Sequence, residues 1–188
     1  MTTVVDTNAS RTVLALRNLY LVRFGFALVW AALLSLTGPD SGPAGVALLV
    51  IYPLFDVAAA IIDLRSSKTA RPAAALYVNL ALSLLTAIGL AATATSGVPA
   101  VLRVWGVWAI TAGIVQLIVA VSRRSLGGQW AMILSGALST IAGTVFILQA
   151  GTPTASLTTL AGYATVGGVF FLISALRLHR TAKNTHSR

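Results

Sequence analysis

The sequence contains no cysteine and no glutamate, and charged residues make up only 9% of its 188 positions. Without cysteine the chain has no disulfide, no thiolate metal site and no cysteine nucleophile. Without glutamate, any carboxylate chemistry depends on Asp6, Asp40, Asp56 or Asp63. Soluble domains carry about 25% charged residues, so the scarcity of charge argues against a soluble fold.

Apolar residues are abundant, since 57% of the chain is hydrophobic and its mean hydropathy is +0.88. A soluble domain of this size could not bury so much apolar surface, which excludes a soluble enzyme, a disordered tail and a disulfide scaffold. The formal net charge is +9, but the basic residues form short clusters between apolar runs. This pattern indicates a membrane protein that follows the positive-inside rule rather than a nucleic-acid-binding protein.

Six apolar runs are each long enough to cross a bilayer as a helix of roughly 20 residues. They lie at about residues 18–37, 44–64, 73–95, 99–121, 130–150 and 156–177. Segments rich in Gly, Pro and Ser separate the runs, as expected for turns. We therefore predict an all-α membrane protein with a transmembrane domain of six helices at 18–178, an N-terminal segment at 1–17 and a basic tail at 179–188.

Basic residues lie on one side of this predicted topology. All of the 13 Lys and Arg residues except Arg103 fall in the N-terminal segment and its flank, the second and fourth loops, or the tail. The positive-inside rule then predicts that both termini are cytoplasmic, in the plasma (inner) membrane. The basic loops and tail are expected to contact anionic inner-leaflet lipids, and no nucleic-acid partner is predicted.

The spans repeat at similar spacing, because the odd-numbered helices begin near residues 18, 73 and 130. Each even-numbered helix ends in a basic cluster, which predicts three consecutive helical hairpins in the same orientation. Parallel hairpins argue against an inverted-repeat transporter. Small residues at four-residue spacing, such as Ser135, Ser139 and Gly143, indicate close helix packing, either within one chain or between the copies of a homo-oligomer.

The second half of the chain contains a series of short motifs: WGVW (105–108), GIVQL (113–117), GGQW (127–130), SGAL (135–138), GTP (151–153), GYATVGG (162–168), SA (174–175) and Arg177. These motifs resemble those of the HdeD-like bacterial membrane proteins, a family built on a short repeat. The resemblance covers most of 18–178 and implies the same fold and a stress-related role, acid resistance in the family's named member, without a catalytic residue. The first hairpin departs from the pattern, because Asp56 stands where the later repeats have Gly113 and Gly167 or Gly168.

Asp56 is the main candidate for a functional residue, because it lies inside the second span. A mid-helix Asp costs about 2.5–3.5 kcal/mol to insert, and such residues face a bundle interior or a water-filled cavity. Arg23 is expected at a similar depth in the first span, and we predict that it forms an ion pair with Asp56; snorkelling to the headgroups is the alternative. Tyr52 and Asp63 share the same stripe of the second helix, where Pro53 predicts a kink.

Two amides are expected near the same depth, Asn79 in the third span and Gln116 in the fourth. With Arg23 and Asp56 they suggest a polar layer in the cytoplasmic half, although hydrogen bonding between helices alone explains Asn and Gln. Most of the four tryptophans are expected near the membrane interfaces, as in an aromatic belt. The chain has no Walker A sequence, no dinucleotide fingerprint and no HExxH, so we predict no catalytic residue, no cofactor and no metal site.

Three functions are consistent with these features. The first is a non-enzymatic membrane protein with a stress-related or scaffolding role, which would hold Arg23 and Asp56 as a dry pair. The second is a small proton or cation channel or transporter, in which a water-accessible crevice would end at Asp56. The third is a membrane enzyme acting on lipid-soluble substrates, which would have a side opening to lipid.

Overall fold

A computed structural model describes residues 2–37, 42–66, 73–126 and 129–186. They form six α-helices and two short 3-10 turns: α1 (Thr2–Thr37), α2 (Gly42–Ser66), α3 (Ala73–Thr93), a turn at Ala94–Ser96, α4 (Val98–Ser122), a turn at Arg124–Leu126, α5 (Trp130–Gln149) and α6 (Thr158–His186). Within these ranges no residue is in a β-strand. Each helix contains a stretch long and apolar enough to span a membrane, which confirms the predicted all-α membrane fold.

The first and last helices extend beyond their predicted spans. Their membrane-spanning parts are Val13–Thr37 and Thr158–Leu178, whereas the helices begin at Thr2 and end at His186. Neither extension contains a Gly or Pro that would interrupt a helix. Some predicted loop residues lie outside the described residues, namely Asp40, Lys68, Arg71, Gly127 and Gly128.

The six helices close a ring, because consecutive helices pack side by side and α6 returns to pack along α1. Neighbours run antiparallel: Trp30, late in α1, bonds to the carbonyl of Leu48, early in α2, while Arg23, earlier in α1, meets Asp56, later in α2. We call the end of the ring where the α1 span begins and the α6 span ends the terminal end. This arrangement directs one side of every helix toward a shared interior.

The closest helix crossing is between α4 and α5, and glycine makes it possible. A Cβ atom added to Gly143 would lie 2.5 Å from the carbonyl oxygen of Gly106, and one added to Gly113 would lie 2.7 Å from that of Gly136. The two pairs are one heptad apart on each helix, so the backbones touch along two turns. The predicted close packing of small residues on α5 is therefore present, with Gly136 and Gly143 at the contact.

We predict that Gly143→Ala destabilises the protein by about 1–3 kcal/mol, because the added methyl group meets backbone atoms that cannot move aside. Gly25→Ala is the matched control, since a Cβ at Gly25 meets no atom within 4 Å. The free energy of unfolding in detergent micelles measures both effects. Equal stability of the two variants would show that the crossing is looser than described.

Two apolar clusters fill the interior at different heights. The larger surrounds the buried side chains of Trp30, Leu90, Trp105 and Leu160 and lies away from the terminal end. The smaller lies at the terminal end and comprises Leu16, Tyr20, Ala120, Met132, Ala175 and Leu178. Polar side chains occupy the space between the two clusters.

The tryptophans differ from the expectation of an interfacial belt. Trp30, Trp105 and Trp108 are at most 5% exposed, and each packs against the ring of Tyr52 with centroid distances of 4.6–5.9 Å. Only Trp130 among the four faces outward, with 72% exposure. The three inner tryptophans close the ring interior on the side away from the terminal end.

Candidate intramembrane polar site

The predicted ion pair between α1 and α2 is present. The Nη2 atom of Arg23 lies 2.8 Å from the Oδ1 atom of Asp56, and the two side chains are 17% and 15% exposed. Antiparallel packing of the two helices brings these residues to the same height. The alternative, in which Arg23 turns away toward the headgroups, does not describe this structure.

The Asp56 carboxylate also accepts hydrogen bonds from α3. Asn79 donates from Nδ2 to Oδ2 at 2.7 Å, and the Ser83 hydroxyl donates to the same oxygen at 2.8 Å. Trp108 on α4 donates from Nε1 to the Ser83 hydroxyl at 3.0 Å. One partly buried carboxylate thus connects α1, α2, α3 and α4.

Ser83 and Trp108 are members of this network that sequence reasoning missed. Ser83 lies one helical turn after Asn79 and therefore on the same face of α3, a spacing that could have identified it. Trp108 gave no such signal, because its partner depends on how α3 packs against α4. Gln116, a predicted member, instead donates from Nε2 to the carbonyl of Met132 on α5 at 3.0 Å.

Asp63 and Tyr52 lie apart from the central pair. Asp63 forms a two-pronged ion pair with Arg123, with nitrogen–oxygen distances of 2.9 and 3.2 Å, and both residues are buried. This second pair joins the end of α2 to the end of α4 near the terminal end. Tyr52 packs among the inner tryptophans. The three residues of the predicted stripe on α2 therefore have different surroundings: aromatic rings at Tyr52, the central ion pair at Asp56 and the second ion pair at Asp63.

Pro53 does not interrupt α2, which is helical throughout Gly42–Ser66. The carbonyl that its ring would leave without a helical donor is that of Leu49. The indole of Trp30 approaches the neighbouring carbonyl, that of Leu48, and donates to it at 2.6 Å. A buried indole therefore ties α1 to α2 one helical turn from the proline.

Two cavities meet at the central ion pair. The first, of about 90 Å³, extends toward Asp63 and Arg123 at the terminal end. The second, of about 60 Å³, extends toward Tyr163. Both are lined by Arg23, Asp56 and Gln116, and each is large enough and polar enough to hold water.

The charges in this layer are balanced, since the described residues place two arginines against two aspartates. Arg23 uses one Nη atom for Asp56, its guanidinium carbon lies 5.1 Å from the centroid of the Phe171 ring, and its Nε atom has no hydrogen-bond partner among the described residues. Arg23 therefore keeps donors beyond those that Asp56 occupies. An arginine presents five N–H groups in all.

The described part of the chain contains no group of three or more His, Cys, Asp or Glu side chains that could hold a metal ion.

Comparisons of the chain with models of known families, with characterised proteins and with solved structures found no match. The resemblance to the HdeD-like proteins therefore stays a prediction.

We predict that the Arg23–Asp56 pair is energetically coupled. Arg23→Gln or Asp56→Asn alone should lower the free energy of unfolding by about 3 kcal/mol, at the low end of the range for buried pairs, because each leaves a partly buried charge without its partner. The double variant should lose clearly less than the sum. Unfolding of the four proteins in mixed micelles, followed by circular dichroism, gives the coupling energy.

Arg65→Gln is the control for this cycle, because Arg65 is an exposed arginine on α2. Its removal should change the free energy of unfolding by no more than about 0.5 kcal/mol. Additive losses from Arg23→Gln and Asp56→Asn would contradict the coupling.

Proposed function

We propose that this integral membrane protein is non-enzymatic and of the HdeD-like type, with a stress-related or scaffolding role in the bilayer. The observation that supports the proposal is the occupation of Asp56 by three partners: Arg23, Asn79 and Ser83. A carboxylate held in this way connects helices, whereas a general base needs an acceptor position open to its substrate. Asp63 is likewise engaged, by Arg123.

We propose that the protein lies in the plasma (inner) membrane and that the terminal end of the ring faces the cytoplasm. Exposed arginines at that end support it, namely Arg65, Arg124 and Arg177. Positive charge near the inner leaflet is stabilised by anionic lipids, by about 1 kcal/mol for each Lys or Arg near the surface. Anionic inner-leaflet lipids are therefore the proposed partners of this surface.

A second candidate function is a proton or cation channel or transporter that uses Asp56 together with Arg23. The observation in its favour is that both cavities end at these two residues and at Gln116. Because both cavities can hold water, the pair is not the dry pair expected of a purely structural role. Water in the cavities would bring solutes from the terminal end to the centre of the bundle. The inner tryptophans beyond the second cavity would then form the barrier.

Proton and small-cation flux in proteoliposomes under an imposed pH gradient separates the two functions. The non-enzymatic, structural role predicts no flux above that of empty liposomes, together with a lower melting temperature of Asp56→Asn. Flux that is present in the wild type and in Gly25→Ala but absent in folded Asp56→Asn would overturn that role in favour of the channel or transporter.

The stress-related role is tested in cells. A bacterial strain that lacks the gene should survive acid or membrane stress less well than its parent, and the wild-type gene should restore survival. Asp56→Asn should restore it only partly, because less folded protein reaches the membrane. Unchanged survival of the deletion strain under all stresses tried would contradict a stress-related role.

A further inference from the structure

A groove between α5 and α6 opens on the outer surface of the ring. Its volume is about 340 Å³, and apolar side chains line most of it, including Leu138, Ile141, Val145, Val166 and Phe170. Ile141, Val145 and Val166 are 51–60% exposed, so the mouth of the groove faces the hydrocarbon tails of the bilayer. These two helices pack less extensively than α4 with α5 or α1 with α6.

Two glycines of α6 create part of this space. A Cβ atom added to Gly162 or to Gly167 would meet no atom within 4 Å. Neither glycine is therefore required for helix packing, in contrast to Gly143 on α5. Glycine is less favourable than alanine in a helix interior, so these positions leave room without helping the fold.

The floor of the groove is shared with the second cavity. Ser135, Ser139, Tyr163 and Gly167 line both. The Tyr163 hydroxyl donates to the Ser139 hydroxyl at 2.9 Å, which leaves the Ser139 proton able to donate further. The groove therefore leads from the bilayer to hydroxyl groups and onward to Arg23.

Aromatic rings dominate the remaining lining of the second cavity. They belong to Phe26, Tyr52, Phe55, Trp108, Tyr163 and Phe171. Aromatic side chains stack against a planar head group, and the few hydrogen-bond donors on the same wall can donate to its carbonyl oxygens. Arg23 is already neutralised by Asp56, so an added anion would meet the Asp56 charge at close range, whereas a neutral head group would not.

We propose that the α5–α6 groove is a lateral binding site for a neutral membrane lipid with a planar, carbonyl-bearing head, the quinone class. The apolar chain lies in the groove, and the head lies where groove and second cavity meet, with its carbonyl oxygens toward the Ser139 hydroxyl and Arg23. The proposal concerns binding alone. It goes beyond the stress-related or scaffolding role and does not depend on it.

The test uses the full chain in lipid nanodiscs with decylubiquinone as the probe and equilibrium dialysis as the measurement. The wild type should bind the probe saturably, at one per chain. Gly167→Leu should weaken binding at least tenfold, because its side chain fills the groove. Gly25→Leu is the matched control: it adds the same side chain on α1, also with open space around the added Cβ, and should bind like the wild type.

Tyr163→Phe examines the head-group contact while keeping the ring. It should weaken decylubiquinone binding several-fold, because the Tyr163 hydroxyl donates to Ser139 and its loss leaves the Ser139 proton free to turn away from the head group. Its melting temperature shows that the bundle stays folded. Uptake that does not saturate, or that is the same in Gly167→Leu and Gly25→Leu, would overturn the proposal, because the probe would then only be dissolved in the bilayer.

Competition identifies the class of ligand. Dodecanoate should displace decylubiquinone much less effectively than a second quinone of the same chain length. Equal or stronger displacement by dodecanoate would overturn the quinone assignment and show that the groove takes a fatty-acid carboxylate. The proton-flux measurement has no bearing on this result, so the two proposals fail independently.

Discussion

A carboxylate in the hydrocarbon layer has to be neutralised and hydrogen-bonded by the protein itself, because lipid tails cannot solvate it. Asp56 meets this requirement with a guanidinium from α1 and two donors from α3. The constraint fixes the heights of α1, α2 and α3 relative to one another. Through the hydrogen bond of Trp108 to Ser83 it extends to α4.

The rest of the ring complements this polar centre. Close backbone contact at the two glycine pairs holds α5 against α4, and the apolar cluster at the terminal end joins α6 to α1. The ion pair of Asp63 with Arg123 adds a second link between α2 and α4. The contact between α5 and α6 is the least extensive in the ring, followed by that between α1 and α2, but only α1 and α2 are also joined by an ion pair.

Sequence patterns predicted the helices and the central pair because both depend on local or single-span properties. Hydropathy over about 20 residues locates a span, and the depths of Arg23 and Asp56 follow from helix rise. The contacts of Trp108 and of Arg123 could not be predicted in this way. The first depends on which faces of α3 and α4 pack together, and the second joins α2 to the end of α4, which are not consecutive helices. Arg123 counted as a loop charge, yet its side chain is buried against Asp63.

The most direct measurement of the central claim is the distance between the Asp56 carboxyl carbon and the Arg23 guanidinium nitrogens in lipid bilayers. Rotational-echo double-resonance NMR on protein labelled with ¹³C-aspartate and ¹⁵N-arginine provides it, with Asp56→Asn assigning the signal. An ion pair predicts strong dephasing, corresponding to about 4 Å or less. An Asp56 carboxyl signal that keeps its full intensity, without dephasing, would contradict the account, because the charge would then lack its partner on α1.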